Sequence, residues 1–292
     1  MKLEKQLLEI AKQDMKASLL LYKNKLYSQA MFYLQQSVEK MAKAFAVHFG
    51  IITENELKKI SHNPLKIYKK TTDDLVKKFK KIDAASQVYP KLKSTKIFKI
   101  IEESNIGEVC RKFENLYHVL SSQKPLILSE EEIDKILNEI ENFQNETQAS
   151  KRLISQLQIS ELDFQKMLEE ARTVICELLL VLGASENTIS GVENLISQIL
   201  NEEFANKLIK GIFPLMIDMM CIWYKLLYLS IITYSHAEFS RYPERNINPL
   251  ELYSDRNPLI QNFEKVLEVI DETLKEFEAL ILEEEKLKKY QT

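Results

Sequence analysis

The chain has 292 residues, with 40 Lys and Arg against 43 Asp and Glu, a formal net charge of −3. That balance excludes a global field that gathers nucleic acid, so such a partner needs a local cationic patch. Five glycines and seven prolines are too few for a turn-rich sheet protein, and the dominance of Leu, Ile, Lys and Glu sets the expectation of an all-α fold.

Leu3, Leu7, Ile10, Ala11, Ala17 and Leu21 recur at three- and four-residue steps among charged residues, which predicts a first amphipathic helix. After a short break at "YKNKLYS", Ala30, Leu34, Val38, Met41 and Phe45 carry a second one, and Gly50 is placed to end it in the left-handed conformation. So short a link makes the pair antiparallel. Thr53 with Glu56 forms a capping-box pattern, and "SHNP" (61–64) marks a turn before a helix through "LKIYKKTTDDLVKKFKKI". The basic residues of that stretch, with Tyr68 and Phe79 between them, suit an RNA backbone or simply a solvated helix face.

Between about 85 and 210 the pattern stays helical but is broken near Pro90, Pro125, Ser160 and Gly183. Ser129 and Glu132 open one helix whose Ile133, Ile136, Leu137, Ile140 and Phe143 share a face. "IFPLMIDMMCIWYKLLYLSIITY" (212–234) has the length of a membrane span, but Asp218 and Lys225 lie inside it. Each charge costs about 2.5–3.5 kcal/mol near a bilayer centre, so a core helix is expected and no membrane is implied. Asn257 as N-cap and Pro258 at the first helical position then start a long final helix.

The amphipathic N-terminus is not a secretory signal, and Cys110, Cys176 and Cys221 lack any metal-ligand spacing. A cytoplasmic protein with reduced cysteines is expected. No Walker loop, dinucleotide fingerprint, HExxH or Gly-x-Ser-x-Gly occurs, so no cofactor and no metal is expected.

The first helical pair, "AKQDMKASLLLYKNKLYSQAMFYLQQSVEKMAKAFAVHFG", followed by "SHNPLKIY", resembles the HEPN family of helical bundles. The residues that carry the resemblance are Asp14, Ala17, Ala30, Gln35, Gln36, Glu39, Lys40, Lys43, Ala44, His62 and Asn63. Arg241, Tyr242 and Pro243 supply the Arg-Tyr-Pro that the family often carries near its last helix. The resemblance implies an antiparallel helical bundle made of residues 1–84 and 212–292, with additional inserted helices over 85–211. It also implies a homodimer, RNA or nucleotide as ligand, and a nucleotidyltransferase-type antitoxin partner in a defence or toxin-antitoxin system. The alternative is a non-catalytic module for protein interaction or sensing.

Many members of that family are metal-independent ribonucleases with an arginine four to six residues before a histidine, and "RKFENLYH" supplies Arg111 and His118. A histidine titrating near neutrality can take the proton from a ribose 2′-hydroxyl while an arginine holds the attacked phosphate. The two share a helix face but lie about 10.5 Å apart along the axis, which favours a solvated arginine over a pair unless a kink or second subunit joins them.

His236 and Arg241 form the alternative pair. They straddle a helix end where Pro243 biases Tyr242 out of the helical region, so the arginine either caps orphan carbonyls or helps line a phosphate site. Lys40, Lys43, His62, Asn63 and Arg245 are the other residues assigned to such a nucleotide- or phosphate-binding site. Glu39 and Lys43, four apart, also fit an ordinary surface ion pair.

Overall fold

The protein is described here by a computed structural model covering residues 2–60, 63–74, 77, 127–156, 161–181, 183–199, 208–243 and 247–289. Helix α1 (Leu3–Lys23) and helix α2 (Tyr27–His48) form the antiparallel pair. Small side chains let their backbones approach. Ala11 and Ala30 are fully buried, and two serines bond across the seam: Ser18 Oγ donates to the Ala30 carbonyl at 2.7 Å and Ser37 Oγ to that of Ala11 at 2.9 Å.

The turn between them is tight. Leu26 N–H bonds the Leu21 carbonyl and Lys25 N–H that of Tyr22, both at 2.9 Å, with Lys25 at φ 59°. This is a Schellman closure with lysine where glycine is usual. Gly50 closes α2 the same way at φ 65°, through Ile51 N–H to the Ala46 carbonyl. Helix α3 (Glu54–Ile60) begins at the expected capping box, with the Thr53 N–H and hydroxyl both donating to Glu56. Residues 65–74 are helical.

Helix α4 (Glu130–Gln156) opens on the Ser129–Glu132 box, and its Ile133 and Ile140 are buried. Helix α5 (Glu161–Val181) and helix α6 (Glu186–Ile199) form a hairpin closed by Gly183 at φ 78°. A π-turn at Leu208–Ile212 leads into the apolar helix α7 (Phe213–Thr233). One-turn helices at His236–Phe239, Pro249–Leu252 and Pro258–Gln261 precede the final helix α8 (Phe263–Lys289). Asn257 caps as expected, accepting from Leu259 N–H at 2.9 Å. The long final helix is nonetheless interrupted at Asn262, whose buried amide donates to the Pro258 carbonyl. Among the described residues there is no strand, and the fold is an all-α helical bundle.

The chain divides into two compact units, Met1–Thr71 with Leu116–Ala149 and Leu215–Thr292, and Thr72–Asn115 with Ser150–Pro214. In the first, the opening and closing segments share one core: Leu8, Leu34 and Phe45 cluster with Ile222, Leu226 and Phe277. Tyr22 stacks on Phe263 with centroids 4.1 Å apart. The unit also takes in α4 as far as Ala149, with Phe143 stacked on Tyr224 at 4.1 Å, a helix that sequence reasoning assigns to the insertion. An apolar stripe says that a helix is covered but not by what. In the second unit, Phe164, Leu168 and Ile196 are buried, and the Cys176 thiol lies 3.4 Å from Glu193.

The stretch Lys210–Thr233 is long and apolar enough to cross a membrane. Its second half is packed in the core through Ile222, Leu226, Leu229 and Ile232. Lys225, midway along, is fully buried and donates to both carboxylate oxygens of Glu276 at 2.8 and 2.9 Å.

Candidate functional site

Helix α2 places Phe32, Gln36, Lys40 and Lys43 on one face, since steps of four, four and three residues keep side chains within one quadrant or so of the helix. Along that face runs a polar network. Lys40 Nζ reaches Asp14 Oδ2 of α1 at 2.6 Å and Gln36 Oε1 at 2.9 Å. Lys43 Nζ bonds Glu39 Oε1 at 2.6 Å, and the amides of Gln35 and Gln36 donate to Glu39 Oε2 at 3.0 and 3.2 Å. Glu39 is 3% exposed. The surface ion pair that spacing suggests is therefore part of a buried network, and its burial comes from neighbouring helices that the spacing does not encode.

Both lysine charges are balanced by carboxylates. The network's first effect is to lock α1 to α2, with the buried Glu39 carboxylate held by donors that include Lys43, Gln35 and Gln36. Asn63, assigned to the same site, is occupied elsewhere: its amide nitrogen donates to Tyr234 Oη at 3.1 Å and its oxygen accepts from Leu65 N–H at 3.0 Å. This ties residues 63–68 to the end of α7. Tyr68 is buried against Trp223, its centroid 4.5 Å away, with its hydroxyl 3.4 Å from Ser230 Oγ. That ring belongs to the core and is not available to a base.

His236 is 4% exposed. Its Nδ1 lies 2.7 Å from Tyr253 Oη, and the ring also bonds the Ile232 carbonyl. Burial pushes its pKa down to about 4 from 6.5. The imidazole is thus neutral and sealed beside Ile133, Ile232 and Leu259, a core histidine with both partners satisfied.

Arg241 points the other way. Its Nε donates to the Ala237 carbonyl at 3.1 Å, capping the short helix as a terminal cation can. Its guanidinium carbon sits 4.9 Å from the Phe32 ring centroid and 5.5 Å from that of Tyr242. Ser28 Oγ bonds the Ser240 carbonyl and Ser240 Oγ the His236 carbonyl, so the first turn of α2 holds the Arg-Tyr-Pro loop in place. No hydrogen bond joins His236 to Arg241 among the described residues, and Arg241, over Phe32, lies about 12 Å of helix rise from Lys40. Among the described residues, Lys40 and Lys43 are tied into the α1–α2 network, Asn63 to Tyr234 and His236 to Tyr253, so these side chains and Arg241 have separate partners. Arg111, His118, His62, Arg245 and Phe79 lie outside the described residues.

Residues 4–89 match the family model of the HEPN domain. No curated protein and no solved structure matches the chain. The HEPN segment holds α1, α2 and α3 with the whole Asp14–Lys43 network and Asn63. It matches a helical family of nucleotide- and RNA-related function. Arg241 lies beyond it in sequence, but its guanidinium stands over Phe32 inside it.

Sequence reasoning missed Ser28 and Phe32 as partners of the Arg-Tyr-Pro loop, because 212 residues separate Ser28 from Ser240 and no local pattern links them. It also missed His48, whose Nε2 lies 3.1 Å from Glu284 of α8. Among the described residues, no group of three or more His, Cys, Asp and Glu is arranged to hold a metal ion.

Proposed function

We propose that the chain is a HEPN-type module that binds RNA or nucleotide, with Arg241 as its phosphate contact. The observation that supports this reading is the Arg241 guanidinium: it is exposed, no carboxylate pairs with it among the described residues, and it stands against the Phe32 ring of the HEPN segment and its own neighbour Tyr242. Lys40 and Lys43 serve the network instead. The protein would act as a cytoplasmic homodimer, as the toxin half of a pair with a nucleotidyltransferase-type antitoxin.

A metal-independent ribonuclease activity of this module would rest on Arg111 and His118. His118 would take the 2′-hydroxyl proton, the 2′-oxygen would attack the adjacent phosphorus, and the 5′-oxygen would leave, giving a 2′,3′-cyclic phosphate with no metal. Arg111 would hold the phosphate oxygens. His236 is not offered for this role, because a sealed imidazole with pKa about 4 cannot collect a substrate proton.

The test is labelled RNA with the purified full chain in EDTA. Binding that falls about tenfold or more in Arg241→Ala, and cyclic-phosphate ends that vanish in His118→Ala, are the expected results. Unchanged binding in Arg241→Ala would remove the proposed contact, and cleavage surviving His118→Ala would remove the assigned base.

A further inference from the structure

We infer that Phe32, Arg241 and Tyr242 form a stacking platform for an unpaired base, so that the ligand of this site is a single strand or a free nucleotide and not a duplex. The inference rests on the reading that the chain binds RNA or nucleotide. It adds what part of the ligand is recognised.

Three features carry it. Tyr242 is 59% exposed, leaving a large aromatic face in water at the end of a loop. The guanidinium lies within cation–π range of both rings, and its hydrogen bond among the described residues is made by Nε, to the Ala237 carbonyl. The loop is already fixed, since Ser28 and Ser240 bond its backbone and Phe32 packs edge-on to Tyr33 at 5.2 Å. A base stacked on an exposed ring beside a cation gains dispersion and cation–π attraction whatever its identity. A duplex hides its base faces and offers only phosphates, for which this site has, among the described residues, one open cation in Arg241.

Anisotropy with a labelled ten-nucleotide single-stranded RNA, a fully paired RNA of the same sequence, and AMP as competitor tests the platform on the full chain. Tyr242→Leu is expected to weaken single-strand binding about tenfold, Tyr242→Trp to keep it, and Phe32→Leu to weaken it with an unchanged circular dichroism spectrum. The duplex should bind more weakly than the single strand and ignore Tyr242→Leu. If the single strand binds and Tyr242→Leu and Phe32→Leu leave its affinity unchanged, or if the duplex binds equally well, the platform is wrong while the RNA-binding reading stands. If the wild type binds neither RNA nor AMP, both fall.

Discussion

Lys225 and Glu276 show how differently the two halves of one ion pair can matter. Lys225 is fully buried in the middle of an apolar helix, whereas Glu276 is 34% exposed and also accepts from Gln144. Removing the acid strands an ammonium in the core, so Glu276→Ala should cost about 3–5 kcal/mol. Lys225→Met removes the charge and keeps the volume, and should be within about 1 kcal/mol of neutral or stabilising. Urea midpoints of the two variants check the asymmetry, and equal losses would contradict it. His236 gives a pH dependence of definite sign. Its folded pKa is about 4 against 6.5 when free, so the unfolded chain takes up the proton first as pH falls. The stability is complete above about pH 6.5 and drains away toward pH 4, on the order of 3 kcal/mol in all. His236→Gln, compared with wild type in urea at pH 7, 5.5 and 4, should lower stability at pH 7 and flatten the decline. The residue identities in both cases stand in plain sight in the sequence, but their burial does not. A lysine inside an apolar run and a histidine at a helix end read as misfits until the facing helices are placed.

At the scale of elements, the patterns that depend on local backbone chemistry were the legible ones. The capping boxes at Thr53 and Ser129, the N-cap at Asn257 and the glycine at position 50 all stand where periodicity and turn chemistry put them. The α1–α2 turn was legible only as a break, because lysine at position 25 gives no signal for a left-handed residue. Three Schellman closures occur in the described residues, and Gly50 and Gly183 fill two of them while Lys25 at φ 59° fills the third. A non-glycine residue there bears a steric penalty of about 1–2 kcal/mol, partly offset by the lower unfolded-state entropy of lysine. Lys25→Gly should therefore stabilise the protein by roughly 0.5 kcal/mol. Gly50→Ala should destabilise by about 1 kcal/mol, and this cost comes from backbone conformation alone, since a Cβ at position 50 meets nothing within 4 Å. Thermal midpoints moving in opposite directions confirm the assignment. A loss of stability in Lys25→Gly would show that the lysine side chain contributes more than its backbone strain costs.

For the whole molecule, the informative contrast is between where the family match ends and where the core ends. The match stops at residue 89, but the apolar faces of α1 and α2 are covered by α7 and α8, through Ile222, Leu226, Phe263 and Phe277. Polar ties run the same way, from Lys5 to Glu285 at 2.8 Å and from His48 to Glu284 at 3.1 Å. A fragment of residues 1–89 would expose Leu34, Met41 and Phe45, each fully or almost fully buried in the intact protein. Burying such a side chain is worth about 1.5–3 kcal/mol, so losing the cover of several is comparable with the total stability of a small domain. The fragment should give a collapsed, poorly dispersed amide spectrum, and addition of residues 212–292 as a second polypeptide should restore dispersion and protect α2 amides from exchange. A cooperative, well-dispersed fragment 1–89 would mean that the matched segment is a complete domain, and that the Phe32–Arg241 contact joins two independent bodies instead of lying within one.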